Sequence, residues 1–230
     1  MVSFDFNLIF PLFKDLLAFI PVTLLVLVLS FVIGNLLGFF LAYGLKAEQA
    51  WYHGLAKSYI FIMRCTPPIV MIFLIFYGLP QLLEWWLRIS IHDWSQAIYV
   101  IIALSLLYAA NISVVFKASY DAVDDGLREA GLALGLSAQK TFFLITFPEA
   151  LRIALPNIGN STVSLLKNTA LAYTIGLIDV MGAGQLFINR QMGNYSLETY
   201  LAVAIIYWLI AAVVMVIIHL TEKRISKGEG

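Results

Sequence analysis

Charge is scarce in this chain. Only 12% of its 230 residues are Asp, Glu, Lys or Arg, about half the share of a soluble domain. With 61% hydrophobic residues, that scarcity excludes an ordinary soluble domain and implies an integral membrane protein. Lys plus Arg and Asp plus Glu balance at 14 each, and no basic block of five or more residues occurs, so nothing points to nucleic acid. The single cysteine, Cys65, excludes an intrachain disulfide. His53, His92 and His219 are scattered, and no C-x-x-C or histidine cluster suggests a metal. G-x-S-x-G, H-E-x-x-H and paired carboxylates inside a span are missing, which leaves no catalytic constellation. There is no G-x-x-x-x-G-K-[ST] phosphate loop either, so any ATP-driven motor must be another polypeptide. The first ten residues, MVSFDFNLIF, lack the basic start and small-residue cleavage site of a signal peptide, so this segment is expected to remain.

What is present is a series of long apolar runs. Residues 4–17 mix aromatic and aliphatic residues with Asp5, Asn7, Lys14 and Asp15, which predicts a short interfacial helix. Spans are expected over about 22–43, 58–79, 97–116, 153–178 and 199–220, each long enough for ~30 Å of hydrocarbon. Together they form one transmembrane domain over 1–230, with no sequence repeat and no linker. In the first span, Gly34-x-x-x-Gly38 permits close approach of another helix. The second contains Arg64-Cys65-Thr66-Pro67-Pro68, where the prolines predict a kink. Arg64 either snorkels toward the interface or pairs with the polar loop. Trp85, Trp86 and Trp94 mark residues 81–96 as an interfacial loop. The fourth span is the most polar, with Asn157, Asn160, Ser161, Thr162, Ser164, Lys167, Asn168 and Thr169. These must face other helices or water. Residues 179–198 are expected to form an outer loop.

The longest polar excursion, about 117–152, carries Asp121, Asp124, Asp125, Arg128, Glu129, Lys140, Glu149 and Arg152. Each ionised side chain costs ~2.5–3.5 kcal/mol at the centre of a membrane helix, so this loop lies in water. Leu127, Ala130 and Leu134 give a short helix one apolar face. Gly135 suits a left-handed helix end and Ser137 an N-cap. Thr146-Phe147-Pro148-Glu149 has capping-box form, which predicts a new helical segment there. Five spans put the chain ends on opposite sides. Lys46, Lys57, Lys117, Arg128, Lys140, Arg152, Lys223, Arg224 and Lys227 fall on one side; Lys14, Arg88 and Arg190 fall on the other. The positive-inside rule then makes the 117–152 loop and the C-terminus cytoplasmic and the N-terminus external.

Within that loop, Glu129-Ala130-Gly131, three residues, Gly135, nine residues, and Ile145-Thr146-Phe147-Pro148 resemble the EAA motif of ABC importer permeases. Gly131 replaces the second alanine and Phe147 a leucine. Arg64, Thr66 and Pro67 resemble the R-G-T-P-L motif of the polar amino-acid permeases, with Cys65 and Pro68 as departures. The following FLIFYGLP resembles that subfamily's helix end. Residues 167–171 resemble its K-D-T-S-L motif, with Asn168 for Asp and Ala170 for Ser.

The resemblance implies an all-α, type I (MetI-like) importer permease for polar amino acids in a bacterial cytoplasmic membrane. Glu129, Ala130, Gly131, Gly135, Ile145 and Pro148 would belong to a coupling helix that docks on the cytoplasmic ATPase. Ser164, Lys167, Asn168 and Thr169 would line the translocation path or hold subunits together, with Arg64, Thr66 and Pro67 path-lining or structural. No cofactor is expected on this chain; ATP and Mg2+ would sit on the ATPase. The expected partners are ABC ATPases, a second permease (identical or homologous), an extracytoplasmic amino-acid-binding protein, the amino acid and lipid, without nucleic acid. ATPase closure would then switch the pore from inward- to outward-facing. Asparagine at 168 removes one attraction for a cationic substrate and favours neutral or acidic amino acids. The alternatives are an ABC permease for another small solute, or an ion-coupled carrier or channel.

Overall fold

The computed structural model describes residues 4–226, and the described residues form helices and connecting turns without strands. Helix α1 (Phe6–Leu16) passes through a 3-10 turn into α2 (Ile20–Leu45), making one 40-residue helical run. The expected interfacial segment is thus the beginning of the first membrane-length helix. Next come α3 (Ala50–Cys65), α4 (Pro68–Phe73) and α5 (Leu79–Leu87), then α6 (Gln96–Asp121). The polar excursion holds α7 (Asp125–Ala133) and α8 (Ala138–Thr141), and leads into α9 (Phe147–Thr169). Helices α10 (Val180–Arg190) and α11 (Ser196–Ser226) complete the chain. Among the described residues, four helical runs are long and apolar enough to cross a membrane, or five with the bent pair that contains α9 and α10.

Helix α6 is the axis of the fold. Val100, Ala103, Leu104, Ala109, Ala110 and Ile112 are all fully buried, as packing against α2, α9, α3 and α4 requires. The contact with α2 depends on small residues at i, i+4 and i+8. Ser30 donates to the Ile101 carbonyl at 3.4 Å. A Cβ at Gly34 would lie 2.6 Å from Tyr108 Cδ1, and one at Gly38 only 2.2 Å from Ile112 Cγ2. The Gly34-x-x-x-Gly38 pair is therefore a close helix crossing inside this chain. On its other side α2 exposes Leu25, Val28, Val32, Leu36 and Phe40, a surface suited to lipid.

Three boundaries depart from expectation, each at a proline or a cap. The supposed second span, 58–79, is broken instead of kinked. Thr66 (ψ 122°) and Pro67 (ψ 137°) are both extended, because a residue preceding proline is pushed out of the helical region, here twice in succession. The membrane-length helix starts at Pro68 and continues to Leu87, through residues expected to be loop. It survives Pro80 because a π-turn, Leu74–Gly78, comes just before. The same device recurs at Pro148, which follows the π-turn Phe142–Thr146. A wide turn displaces the carbonyl that a proline ring would otherwise strike. Consequently Thr146 is helical (φ −69°, ψ −45°) and caps nothing, contrary to the capping-box reading. Lastly, the expected outer loop contains α10. Asp179 caps it by accepting from the Gly182 N–H at 2.9 Å.

Candidate functional site

Two regions stand out, a polar groove on α9 and the excursion at one end of the molecule. In the groove, Asn157, Asn160, Ser161, Ser164 and Asn168 recur at i, i+3, i+4, i+7 and i+11, which aligns them on one helix face. The opposite face turns Ile158, Thr162, Leu166 and Thr169 into the core. The polar stripe lines a cavity of about 420 Å³, within the range of about 300–1,000 Å³ typical of small-molecule sites. Asn111 of α6 and Arg64 at the end of α3 close it from the other side, over an apolar floor of Leu104, Leu107, Val115 and Leu165. Arg64 is the one charged lining residue, and among the described residues no carboxylate pairs with it. Arg64, Asn111, Asn157, Asn160 and Ser164 are exposed, so the groove opens on a flank of the single chain.

Not every expected residue reaches this cavity. Arg64, Ser164 and Asn168 line it. Lys167 is exposed on the neighbouring flank of α9. Thr169 is fully buried and donates to the Leu166 carbonyl at 2.7 Å. Thr66 closes the last turn of α3 by donating to the Ile62 carbonyl at 2.8 Å, and Pro67 is the extended residue just before α4. Both act on the backbone break that ends α3 next to Arg64.

The excursion is a compact knob. Asp124 caps α7 by accepting from the Gly126 N–H at 2.7 Å. The helix ends in a Schellman arrangement, Leu136 N–H to the Gly131 carbonyl (3.2 Å) and Gly135 N–H to the Leu132 carbonyl (2.9 Å). Gly135 has φ +81°. Ser137 then accepts from the Lys140 N–H at 3.3 Å. Gly131 is buried against the start of the next helix, where a Cβ would meet Ile145 Cδ1 at 2.7 Å and Thr141 Cγ2 at 3.0 Å. Two motif positions fourteen residues apart thus touch. Glu129, Ala130 and Gly135 face outward, and Pro148 lies exposed in the first turn of α9. Leu132 (51% exposed), Leu134 (82%), Phe143 (65%) and Leu144 (66%) are large apolar side chains that the described residues leave uncovered on the excursion.

The binding-protein-dependent transport system inner membrane component family matches residues 34–227. The chain belongs to this family. Among curated members, it is 37% identical to the L-cystine transport system permease protein TcyL of Bacillus subtilis, over 99% of this chain and 94% of that protein. It is 32% identical to the glutamine transport system permease protein GlnP of Escherichia coli, over 98% and 99%. A solved amino acid ABC transporter chain superposes with a TM-score of 0.80 at 26% identity, covering 97% of this chain and all of that one. The MetNI methionine ABC transporter shares the fold, with a TM-score of 0.65 at 16% identity. The chain is thus an all-α, multi-pass inner-membrane permease of the type I importer fold.

For this family member, sequence reasoning missed three features. Asn111 lies in an apolar span and gave no pattern of its own. Asn157, Asn160 and Ser161 were visible as polar, but only the fold shows that they share the Asn168 face. The third feature is Asp179, which is 1% exposed. Tyr207 of α11 donates to it at 3.1 Å and Thr23 of α2 at 3.2 Å, while Thr23 accepts from the Val180 N–H at 3.2 Å. This node ties α2, α10 and α11 together. The Asp-x-x-Gly cap signal was its only trace in sequence.

Proposed function

We propose that this chain is the permease subunit of an ATP-driven importer of polar, non-cationic amino acids. One observation supports it most: the groove combines a single unpaired cation with four carboxamides and no carboxylate. Arg64 suits the substrate's α-carboxylate. Asn111, Asn157, Asn160 and Asn168 suit its ammonium and polar side-chain groups, whereas a cationic side chain finds no counter-charge. Because the polar flank is open, a second permease, identical or homologous, is needed to screen it from lipid.

The excursion is the ATPase-coupling element. Glu129, Ala130 and Gly135 present the surface, and the Gly131–Ile145 contact keeps α7 against the helix that becomes α9. ATP and Mg2+ bind on the partner ATPases, and this chain catalyses nothing itself. An extracytoplasmic binding protein delivers the amino acid. The positive-inside rule places the excursion and C-terminus in the cytoplasm and the N-terminus outside. The Arg152 guanidinium donates to the Ile225 carbonyl at 3.0 Å, so Lys223 and Arg224 lie at the excursion's end of the molecule. Lys227 is outside the described residues.

The test is affinity purification through a tag on this chain, followed by reconstitution and ATPase assay with a panel of amino acids and binding proteins. Co-purifying ATPase, with stimulation by neutral polar or acidic amino acids, is the expected result. Stimulation by arginine and lysine alone would refute the substrate class. A lone cation also suits another small anionic solute, so sulfate, phosphate and organic acids belong in the panel; stimulation by one of these alone would favour the alternative importer.

A further inference from the structure

The coupling excursion needs a rigid root if displacement of its surface is to reach the membrane helices. Its root is built around one ring. Tyr120, in the last turn of α6, has Lys46 Nζ at 4.2 Å and the Arg128 guanidinium carbon at 4.3 Å from its ring centroid. Lys46 caps the C-terminus of α2, and Arg128 belongs to α7. The ring of Phe142, in the π-turn that leads to α9, lies 6.3 Å away. The same atoms are held a second time from beside the ring. Arg128 Nη2 donates to the Tyr120 carbonyl at 2.6 Å and Nη1 to Asp125 at 3.0 Å. Lys46 and Lys117 both donate to Asp121 at 2.6 Å. Four elements, the end of α2, α6, α7 and the π-turn before α9, thus meet at Tyr120.

We infer that Tyr120 is a positioning residue for energy coupling. Its π-face clamps the cation that orients α7 to the cation that ends α2, so that movement of α7 is passed to α2 and α6 instead of being absorbed at the hinge. The ring is the active part, since an aromatic face attracts cations without needing the hydroxyl. This inference rests on the excursion being the coupling element.

The experiment measures amino acid taken up per ATP hydrolysed by the reconstituted complex, using an amino acid that stimulates the unmodified complex. Tyr120→Leu is expected to lower the ratio roughly five- to tenfold, the loss of two cation–π contacts at a half-buried site. Tyr120→Phe should keep it within about twofold. An unchanged ratio in Tyr120→Leu, or an equal loss in Tyr120→Phe, overturns the clamp. If Tyr120→Leu does not assemble, Lys46→Gln carries the test: a lowered ratio supports the clamp and an unchanged one overturns it. Glu129→Lys, on the outer face of α7, separates this idea from its premise. If neither Glu129→Lys nor Tyr120→Leu alters the ratio, the excursion is not the coupling element; if only Glu129→Lys does, the premise stands and the clamp alone fails.

Discussion

Replacing Gly135 probes the knob with little collateral damage. No atom lies within 4 Å of the position a Cβ would take, yet the residue sits at φ +81°. Steric overlap therefore contributes nothing, and the whole penalty of Gly135→Ala is torsional, about 1–2 kcal/mol for a left-handed L-residue. That is a factor of roughly 5–30 between the ordered and displaced states of the α7 end. Asparagine tolerates the left-handed region better, so Gly135→Asn should recover most of the loss. Gly135→Asp has similar local geometry but places a charge on the docking face, and should lower substrate-stimulated ATP hydrolysis and uptake further. All three variants should insert and co-purify normally, because the position is remote from the apolar helices. The assay is ATPase activity and uptake in proteoliposomes, with complex yield as control. The order expected is Gly, Asn, Ala, Asp. Wild-type coupling in a well-assembled Gly135→Asp complex would refute the assignment of this surface to the ATPase.

In the groove, Asn168→Asp supplies the missing carboxylate and should raise uptake of cationic relative to neutral amino acids by roughly tenfold, from a charge-assisted hydrogen bond; altered yield with unchanged ranking would indicate a structural role instead. Arg64→Gln removes the cation and should raise the KM for every substrate by a similar factor, with little change in complex yield. Gly38→Leu forces a side chain into the space of buried Ile112 and should destabilise the chain by about 1–3 kcal/mol, read as a lowered detergent melting temperature. Cysteines at Ile89 or Asp93, in a Cys65-free background, should react with an impermeant thiol reagent on intact cells, and those at Asp124 or Asp125 only after lysis; the reverse pattern would invert the proposed orientation.

Much of the fold was legible because apolar run length and scarcity of charge operate locally. Those signals located α2, α6 and α11 within a few residues of their apolar parts. Gly135 and Ser137 were legible because caps depend on neighbouring backbone. Illegible were the outcomes of competition between a local breaker and its surroundings. Pro67 with Pro68 ends a helix, while Pro80 and Pro148 follow a π-turn that no residue type announces, and Pro11 and Pro156 sit inside helices that continue past them. Leu127, Ala130 and Leu134 were read as the apolar face of α7, but Leu127 and Leu134 are exposed and the close contact is made by Gly131. Period alone gives a stripe, not the side on which its neighbour lies. The groove was half legible for the same reason: polar residues in a span must avoid lipid, but which of them meet Arg64 depends on where α3 stops.

The π-turn at Phe142–Thr146 also sets an angular phase. Residues 138–169 run as one helical rod from the tip of the knob to the last asparagine of the groove, about 48 Å at 1.5 Å per residue. The wide turn itself carries Ile145, which meets Gly131, and precedes the Asn157–Asn168 stripe, so it helps to set the azimuth of one against the other. A π-turn takes up one residue more than an α-turn, so a deletion there would be absorbed. A deletion in the regular helix between it and Asn157 would instead swing the stripe by about 100° and carry Asn168 away from Arg64. The rod is built like a crankshaft, with the knob contact and the polar stripe as two throws at a fixed angle.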